Sequence, residues 1–423
     1  MVLLTRSGPL PVAADAPVVA GATAGWRGTW SRALLFCCLS IALPSWAMAF
    51  ETPPATEVEA ILGADASGPN YRIASPVHSD GFMRIFVLDT AYGAFQVEGD
   101  DLIRTRIREL AALRKLQAMS ESDVFLKSLR QAAAAPLRYG ADLITDPGAT
   151  LQKSFSGVAN MFDRIGAGLS NASSNRDNVV SSILGVDEAR RTLAVQLNVD
   201  PYTDFPPLAS KLSDVASAAA VGGLSMKGLM MAIPGGAGIV VSSTSTVDTI
   251  KDTLAQKTAA QIVVLVKRKL LALKVPVATV DRFVQNRAFT PTDLLVVADA
   301  LSRLRAPNSG LFLERAADAT TRNEAFFQRR RAELLADNAK ELGIGGFIGA
   351  GGFPLNQLKD GRIIALFPLD EVSWTEGVAR AFQAVAQAVP AETGAPVLAI
   401  TGRLTEEARA NVLRLGWTVE AVR

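Results

Sequence analysis

Hydrophobic positions change period three times along this chain, and each change marks a change of element. Tyr71 to Val77, Phe82 to Leu88 and Ala94 to Val97 are short apolar runs parted by His78-Ser-Asp-Gly81 and Asp89-Thr-Ala-Tyr-Gly93. Glycine-containing spacers of that length suit hairpins, so the three runs predict a small antiparallel meander. The period then lengthens. Ile103, Ile107, Leu110, Leu113 and Leu116 recur at helical spacing, with Arg104, Arg106, Arg108 and Lys115 left for solvent. Ser120 and Asp123 stand in a capping relation for a second helix, to about Ala135.

Residues 147–175 read as loop, and helices are expected over 186–197, 246–273, 277–286, 291–304 and 321–342. Thr290 caps the fourth of these, with Pro291 in its first turn. Between the first and second of them, the stretch 215–241 is nearly uncharged, rich in Gly and Ala, and interrupted by Pro234-Gly-Gly. Its small residues suit close helix packing, either in a soluble core or in a membrane; Lys227 and the short halves weigh against a span.

The last part differs in kind. Arg362–Phe367, Val397–Ile400 and Trp417–Val422 read as strands, Val372–Val389 and Thr405–Leu415 as helices, with Ser373 and Glu376 spaced as a capping box. That alternation is the signature of right-handed βαβ units. The expected fold is therefore α+β and mostly helical, in three parts. Residues 50–145 hold the meander and its helices, 146–342 a helical domain, and 343–423 a small α/β (βαβαβ) domain. Residues 50–70 show little pattern and read as a mobile leader.

Ahead of these lies Arg32-Ala-Leu-Leu-Phe-Cys-Cys-Leu-Ser-Ile-Ala-Leu43, an arginine followed by an apolar run, then Pro44 and Ala47-Met-Ala49. This is the anatomy of a signal peptide, so residues 1–49 are expected to be removed between Ala49 and Phe50, leaving an exported periplasmic or secreted protein. The run is shorter than the roughly 20 residues a span requires. Removal alters the chemistry. Both of the chain's 2 Cys are lost, and with them disulfides, thiolates and Cys-bound metals. Three arginines and one aspartate also go, so 43 basic and 41 acidic residues become 40 and 40. A balanced chain exerts no general pull on nucleic acid.

Candidate chemistry is sparse. The single His, His78, lies beside Ser79 and Asp80, but triads are built from distant positions, and a turn is the simpler reading. Gly223-Leu-Ser-Met-Lys-Gly228 is out of register for a nucleophile elbow. Gly343-Ile-Gly-Gly-Phe-Ile-Gly-Ala-Gly-Gly352 lacks the register and the Lys of a phosphate cradle, and reads as a tight turn on the sheet. Arg329-Arg-Arg331 reads as the solvated face of a helix. The only candidate catalytic residues are Asp370, Glu371 and Arg403, at the carboxyl ends of two predicted parallel strands, where α/β sheets place their sites. The competing account makes the two acids helix-dipole partners.

No cofactor and no metal is implied, and the partners left open are a protein or a membrane surface. Three readings follow: a non-catalytic scaffold or interaction protein, a membrane-associated protein acting through 215–241, or a ligand-binding or hydrolytic enzyme using Asp370, Glu371 and Arg403.

Overall fold

A computed structural model describes residues 50–123, 125–127, 177–221, 245–350, 353–390 and 393–422. The meander is present; of the first expected run only Tyr71–Ile73 is strand, the second is shifted by two residues and the third is longer than expected. β1 (Ser67–Gly68), β2 (Tyr71–Ile73), β3 (His78–Ser79), β4 (Arg84–Thr90) and β5 (Gly93–Glu98) pair antiparallel around β4. Phe86, Leu88 and Val97 face inward, where they meet Leu102, Ile103, Leu110, Leu113 and Leu116 of α2 (Asp100–Ser120). The short α1 (Val58–Leu62) precedes the sheet. The same core takes in Leu193 and Leu197 from α3 (Asp177–Gln196) and its end, and Leu208, Leu212 and Val215 from α4 (Pro206–Val221).

The leading segment is pinned rather than mobile. Thr56 bridges Val77, and the Glu51 amide donates to the Trp374 carbonyl at 3.0 Å. The Glu51 carboxylate in turn accepts from the Trp374 amide and the Thr405 hydroxyl. Ser120 closes α2 by donating to Gln117 instead of capping a new helix; Ser122 accepts from the Phe125 amide in that role. Of the 215–241 stretch, residues 215–221 end α4, with Val215, Ala216 and Ala219 buried; the remainder, the 147–175 loop and the 223–228 motif lie outside the described residues.

The long helix expected over 246–273 is two helices, α5 (Ser245–Gln256) and α6 (Ala259–Ala272). Thr258 breaks it, because its hydroxyl accepts from Gln261 N while the Gln261 side chain accepts from Thr258 N. That capping box offers local polar partners that a continuous helix would forgo. α7 (Val277–Gln285), α8 (Pro291–Leu304), α9 (Ser309–Ala317) and α10 (Arg322–Asn338) complete the helical part. Thr290 caps α8 as expected, with Asp293 closing the box.

The C-terminal sheet is mixed. β6 (Ile344–Ala350), β7 (Phe353–Leu358) and β8 (Ile363–Phe367) run antiparallel; β8, β10 (Val397–Ile400) and β12 (Thr418–Ala421) run parallel. α11 (Glu376–Ala388) and α12 (Glu406–Arg414) make the expected crossovers. The glycine-rich segment is thus an edge strand and not a turn. Ile344, Phe347 and Ala350 are buried, a bulge lies between Ile344 and Gly346, and a Cβ at Gly345 would press on the Gln357 carbonyl at 3.1 Å.

Both faces of this sheet are covered, as all-buried parallel strands require. Ile364, Leu366, Val397 and Ala399 join the core of α6 to α10, and Ile363, Ala365, Leu398 and Ile400 join that of α11 and α12. Arg331 fastens α10 to the first face. It is fully buried, donates to the Leu366 and Pro354 carbonyls, and lies over the Phe367 ring at 4.4 Å and the Phe312 ring at 5.6 Å. Burial, and then Arg315 nearby, push its pKa down to about 9. This residue is a buried strut, contrary to the solvated face that its sequence run suggested.

Replacing Arg331 by Ala leaves two buried carbonyls without a donor and opens a cavity. The expected cost is about 3 kcal/mol or more, read as a lower denaturation midpoint. A loss below about 1 kcal/mol would remove Arg331 from this role.

Candidate functional site

The three residues nominated from sequence do come together. β9 (Glu371–Val372) and β11 (Arg403–Leu404) pair in parallel just beyond the ends of β8 and β10. Arg403 grips one Glu371 oxygen with Nε at 2.8 Å and Nη2 at 2.7 Å. Tight backbone contact sets this: Arg403 N donates to Asp370 O at 3.1 Å, and a Cβ on Gly402 would stand 1.8 Å from that same carbonyl. Only glycine fits there.

They do not form an open site. Glu371 is 3% exposed and Asp370 8%, and both are spent on the N-terminal sheet. Arg84 Nη2 takes the second Glu371 oxygen at 3.0 Å, while Nη1 takes Asp100 Oδ2 at 2.7 Å. Asp370 accepts from the amide of Arg84 at 2.9 Å and from that of Asp100 at 3.2 Å. The helix that Asp370 caps is therefore α2, 270 residues away in sequence, and not the one that follows it. Gly99, the residue before α2, has no side chain to cap with, and its φ of +96° suits glycine. α11 is capped instead by Thr375, whose hydroxyl accepts from Val378 N; Ser373 is buried, and its hydroxyl has no partner among the described residues. The 373/376 capping box is thus corrected to 375.

His78 sits exposed in β3. Ser79 Oγ accepts from Gly81 N and Asp80 Oδ1 from Phe82 N and Met83 N, so both close the turn before β4 and neither serves the imidazole.

A roomier cavity lies elsewhere among the described residues. A cleft of about 640 Å³ opens between α2, α10, α5, the start of α8 and the loop 198–204. Seven basic and five acidic side chains line it, and two of the walls are the arginine runs that read as solvent-facing. Most of these charges are paired at close range. Asp204 takes Arg106 Nη2 at 2.5 Å and Arg322 Nε at 3.2 Å; Glu109 takes Arg106 Nη1 at 2.7 Å and the Thr203 hydroxyl. Asp293, fully buried behind the lining, takes Arg322 Nη1 at 2.9 Å and Arg329 Nη1 at 3.2 Å. Glu333 holds Arg329 and Arg330, and Arg330 reaches across to Asp101 at 2.7 Å.

The titration of these groups follows from that arrangement. Burial opposes the charge on Arg106 and Arg329, but Glu109 and Asp204 on the first, Glu333 and Asp293 on the second, outweigh it and raise both. Burial likewise works to raise Asp204, yet Arg106 and Arg322 hold it below the usual carboxylate range. Asp200 has hydrogen bonds from Thr292 Oγ1 and Tyr202 N but no ion pair among the described residues. Burial pushes it up to about 6.

Three lining cations make no ion pair among the described residues: Arg104 donates to the Ile61 carbonyl, Arg108 to the Thr105 hydroxyl at 2.9 Å, and Lys251 is the third. Burial lowers the pKa of Arg108, and while Glu109 and Asp101 work to raise it, Arg329 and Arg330 lower it further. Like charges thus crowd one wall. Among the described residues no group of three or more His, Cys, Asp or Glu side chains could hold a metal ion, and no helix is long and apolar enough to cross a membrane. No family model, curated protein or solved structure matches the chain.

Asp293→Ala strips two guanidiniums of their shared buried partner and breaks the α8 capping box. It should cost about 3–5 kcal/mol in denaturant unfolding, as removal of one member of a buried ion pair does. An effect within about 1 kcal/mol would mean that the lattice behind the cleft carries little of the stability.

Proposed function

We propose that this chain is an exported, non-catalytic binding protein whose cleft takes up a small anionic ligand. One observation carries the reading: Arg108 lies in a cleft of ligand size, its charge opposed by those of Arg329 and Arg330, without an ion pair among the described residues. A half-exposed guanidinium crowded by like charges raises the energy of the empty protein. An anion in the cleft relieves that repulsion and supplies the acceptors that the fork of Arg108 lacks. Most of the remaining lining charges hold one another in place, which stiffens the walls before anything binds. Lys251, on the α5 wall, adds a second cation to the same space.

Export rests on the leader sequence, and a partner for the chain is then a solute met outside the cytoplasm. Nothing in the lining calls for chemistry on that solute. Its carboxylates are committed to arginines, apart from Asp200, which Thr292 and Tyr202 hold. The hydrolytic reading of Asp370, Glu371 and Arg403 has less support, because those side chains are consumed in joining the two ends of the chain.

Sulfate, a dianion at every pH used, is the probe. Calorimetric titration should show saturable binding that Arg108→Ala weakens at least tenfold while the ligand-free variant melts no lower than the parent. A variant that binds sulfate as the parent does, or a parent that binds none, would overturn the reading.

The pH dependence has a definite sign. Asp200 gains its proton as pH falls through about 6, which removes a negative charge from the cleft. Sulfate should bind more tightly at pH 5 than at pH 8, and Asp200→Asn should abolish most of that difference. Equal pH dependence in the variant would show that Asp200 does not face the anion.

A further inference from the structure

The joint between the chain's two ends does not balance in charge. Three carboxylates, Asp100, Asp370 and Glu371, meet two guanidiniums, Arg84 and Arg403; Arg84, Asp370 and Glu371 are buried and Asp100 is partly so. Each guanidinium is already divided or spent. Arg84 bridges Asp100 and Glu371, and Arg403 gives both its contacts to Glu371. Asp370 is left with backbone amides alone.

The surroundings supply no further contact from a cation among the described residues. On α2, Asp101 is neutralised by Arg330 of α10, and Arg104, whose charge favours an ionised Asp100, is exposed and donates to the Ile61 carbonyl. The end of β5 adds Glu98 and the turn before β4 adds Asp80, both negative. An anionic surplus buried in this way is costly, and a proton is the simplest remedy. The place for it is marked: Asp100 Oδ1 is buried and accepts no hydrogen bond from the described residues, although Asp100's own amide is bonded to the Asp370 carboxyl.

We propose that Asp100 and Asp370 share one proton, with a neutral Asp370 carboxyl donating to Asp100 Oδ1, and that this pair is a proton-sensitive joint between α2 and the C-terminal sheet. The donated bond satisfies the orphaned oxygen and leaves two carboxylates facing two guanidiniums. Burial and the negative Asp100 together push Asp370 up to about 7, which agrees with the charge count. Burial also raises Asp100, against the pull of Arg84 and Arg104, so the two carboxyls titrate as a pair.

The consequence for stability has a fixed direction. A carboxyl whose folded pKa lies above its unfolded one contributes fully below the ordinary carboxylate range, and the contribution is lost as pH rises through about 7. Above neutrality the N-terminus of α2 is held by a repelling pair. Asp101, the next residue, carries Arg330 of the cleft wall, so loosening begins one residue from the binding site.

Aspartate labelled with carbon-13 at its side-chain carboxyl, followed by NMR across pH in the whole protein, tests this. One carboxyl should titrate near neutrality. It should be missing in Asp370→Asn, and in Asp100→Asn and Glu371→Gln the remaining Asp370 should titrate at least one unit lower, because each removes the surplus charge. Should Asp370→Asn fail to fold, the other two variants decide the matter. If every aspartate near the joint titrates in the ordinary range, or if the neutral titration persists unmoved in Asp100→Asn and Glu371→Gln, the shared proton is disproved.

Discussion

Arg84 is the point on which the two ends of this chain depend. Its amide and guanidinium together reach Asp370, Glu371 and Asp100, and so tie β4, the start of α2 and the end of the C-terminal sheet into one cluster. Backbone bonds run alongside: the Asp370 and Ser373 amides donate to the carbonyls of Phe82 and Gly81. A guanidinium suits this task because its planar donors point in fixed directions and it is less strongly hydrated than an ammonium. Removing charge from water is expensive, so such a joint holds only where the partners are supplied in full. One proton short of full supply, it becomes sensitive to pH.

The same constraint organises the rest of the molecule. Arg106 joins α2 to the 198–204 loop through Asp204; Arg322 and Arg329 join α10 to α8 through Asp293; Arg331 joins α10 to the sheet through carbonyls. Apolar burial on both faces of the C-terminal sheet supplies the mass of the core, and these arginines fix the register between its pieces. Where the pairing is complete the result is a strut. Where it is incomplete, at Arg108 and at the Asp100–Asp370 pair, the structure has a group waiting for a partner, and those are the two places to which a role is assigned.

The elements were legible wherever periodicity and local capping agreed. Thr290-Pro291 opens α8 at the predicted residue, β10 keeps its predicted ends, and the βαβαβ order of the C-terminal part holds, so the α+β and mostly helical fold was readable. Local signals also misled. Thr258 and Gln261 form a capping box inside a run whose apolar spacing suggested one helix, and Gly343–Gly352 looks like a turn although its buried Ile344, Phe347 and Ala350 make it a strand.

The cleft was not legible, for a physical reason. Arg104, Arg106 and Arg108 take the polar face of a helix, as solvated residues do, and the carboxylate that buries Arg106 lies 98 residues further on. Arg330 likewise finds Asp101 across 229 residues. The one available hint was residue choice, since both runs are built from arginine, which tolerates burial in ion pairs better than lysine. Asp370, Glu371 and Arg403 were brought together as their strand positions implied. What they face could not be read from β8 and β10 alone, because Arg84 and Asp100 come from the other end of the chain.

The account stands on the coupling between those ends. A double-mutant cycle of Arg84→Met and Glu371→Gln, measured by reversible denaturant unfolding at fixed pH, reads that coupling directly. A buried, hydrogen-bonded pair predicts an interaction of about 1.5–3 kcal/mol between the two substitutions. Additivity within about 0.5 kcal/mol would show that Arg84 and Glu371 act independently, and that the ends of the chain are held together by something other than this charge cluster.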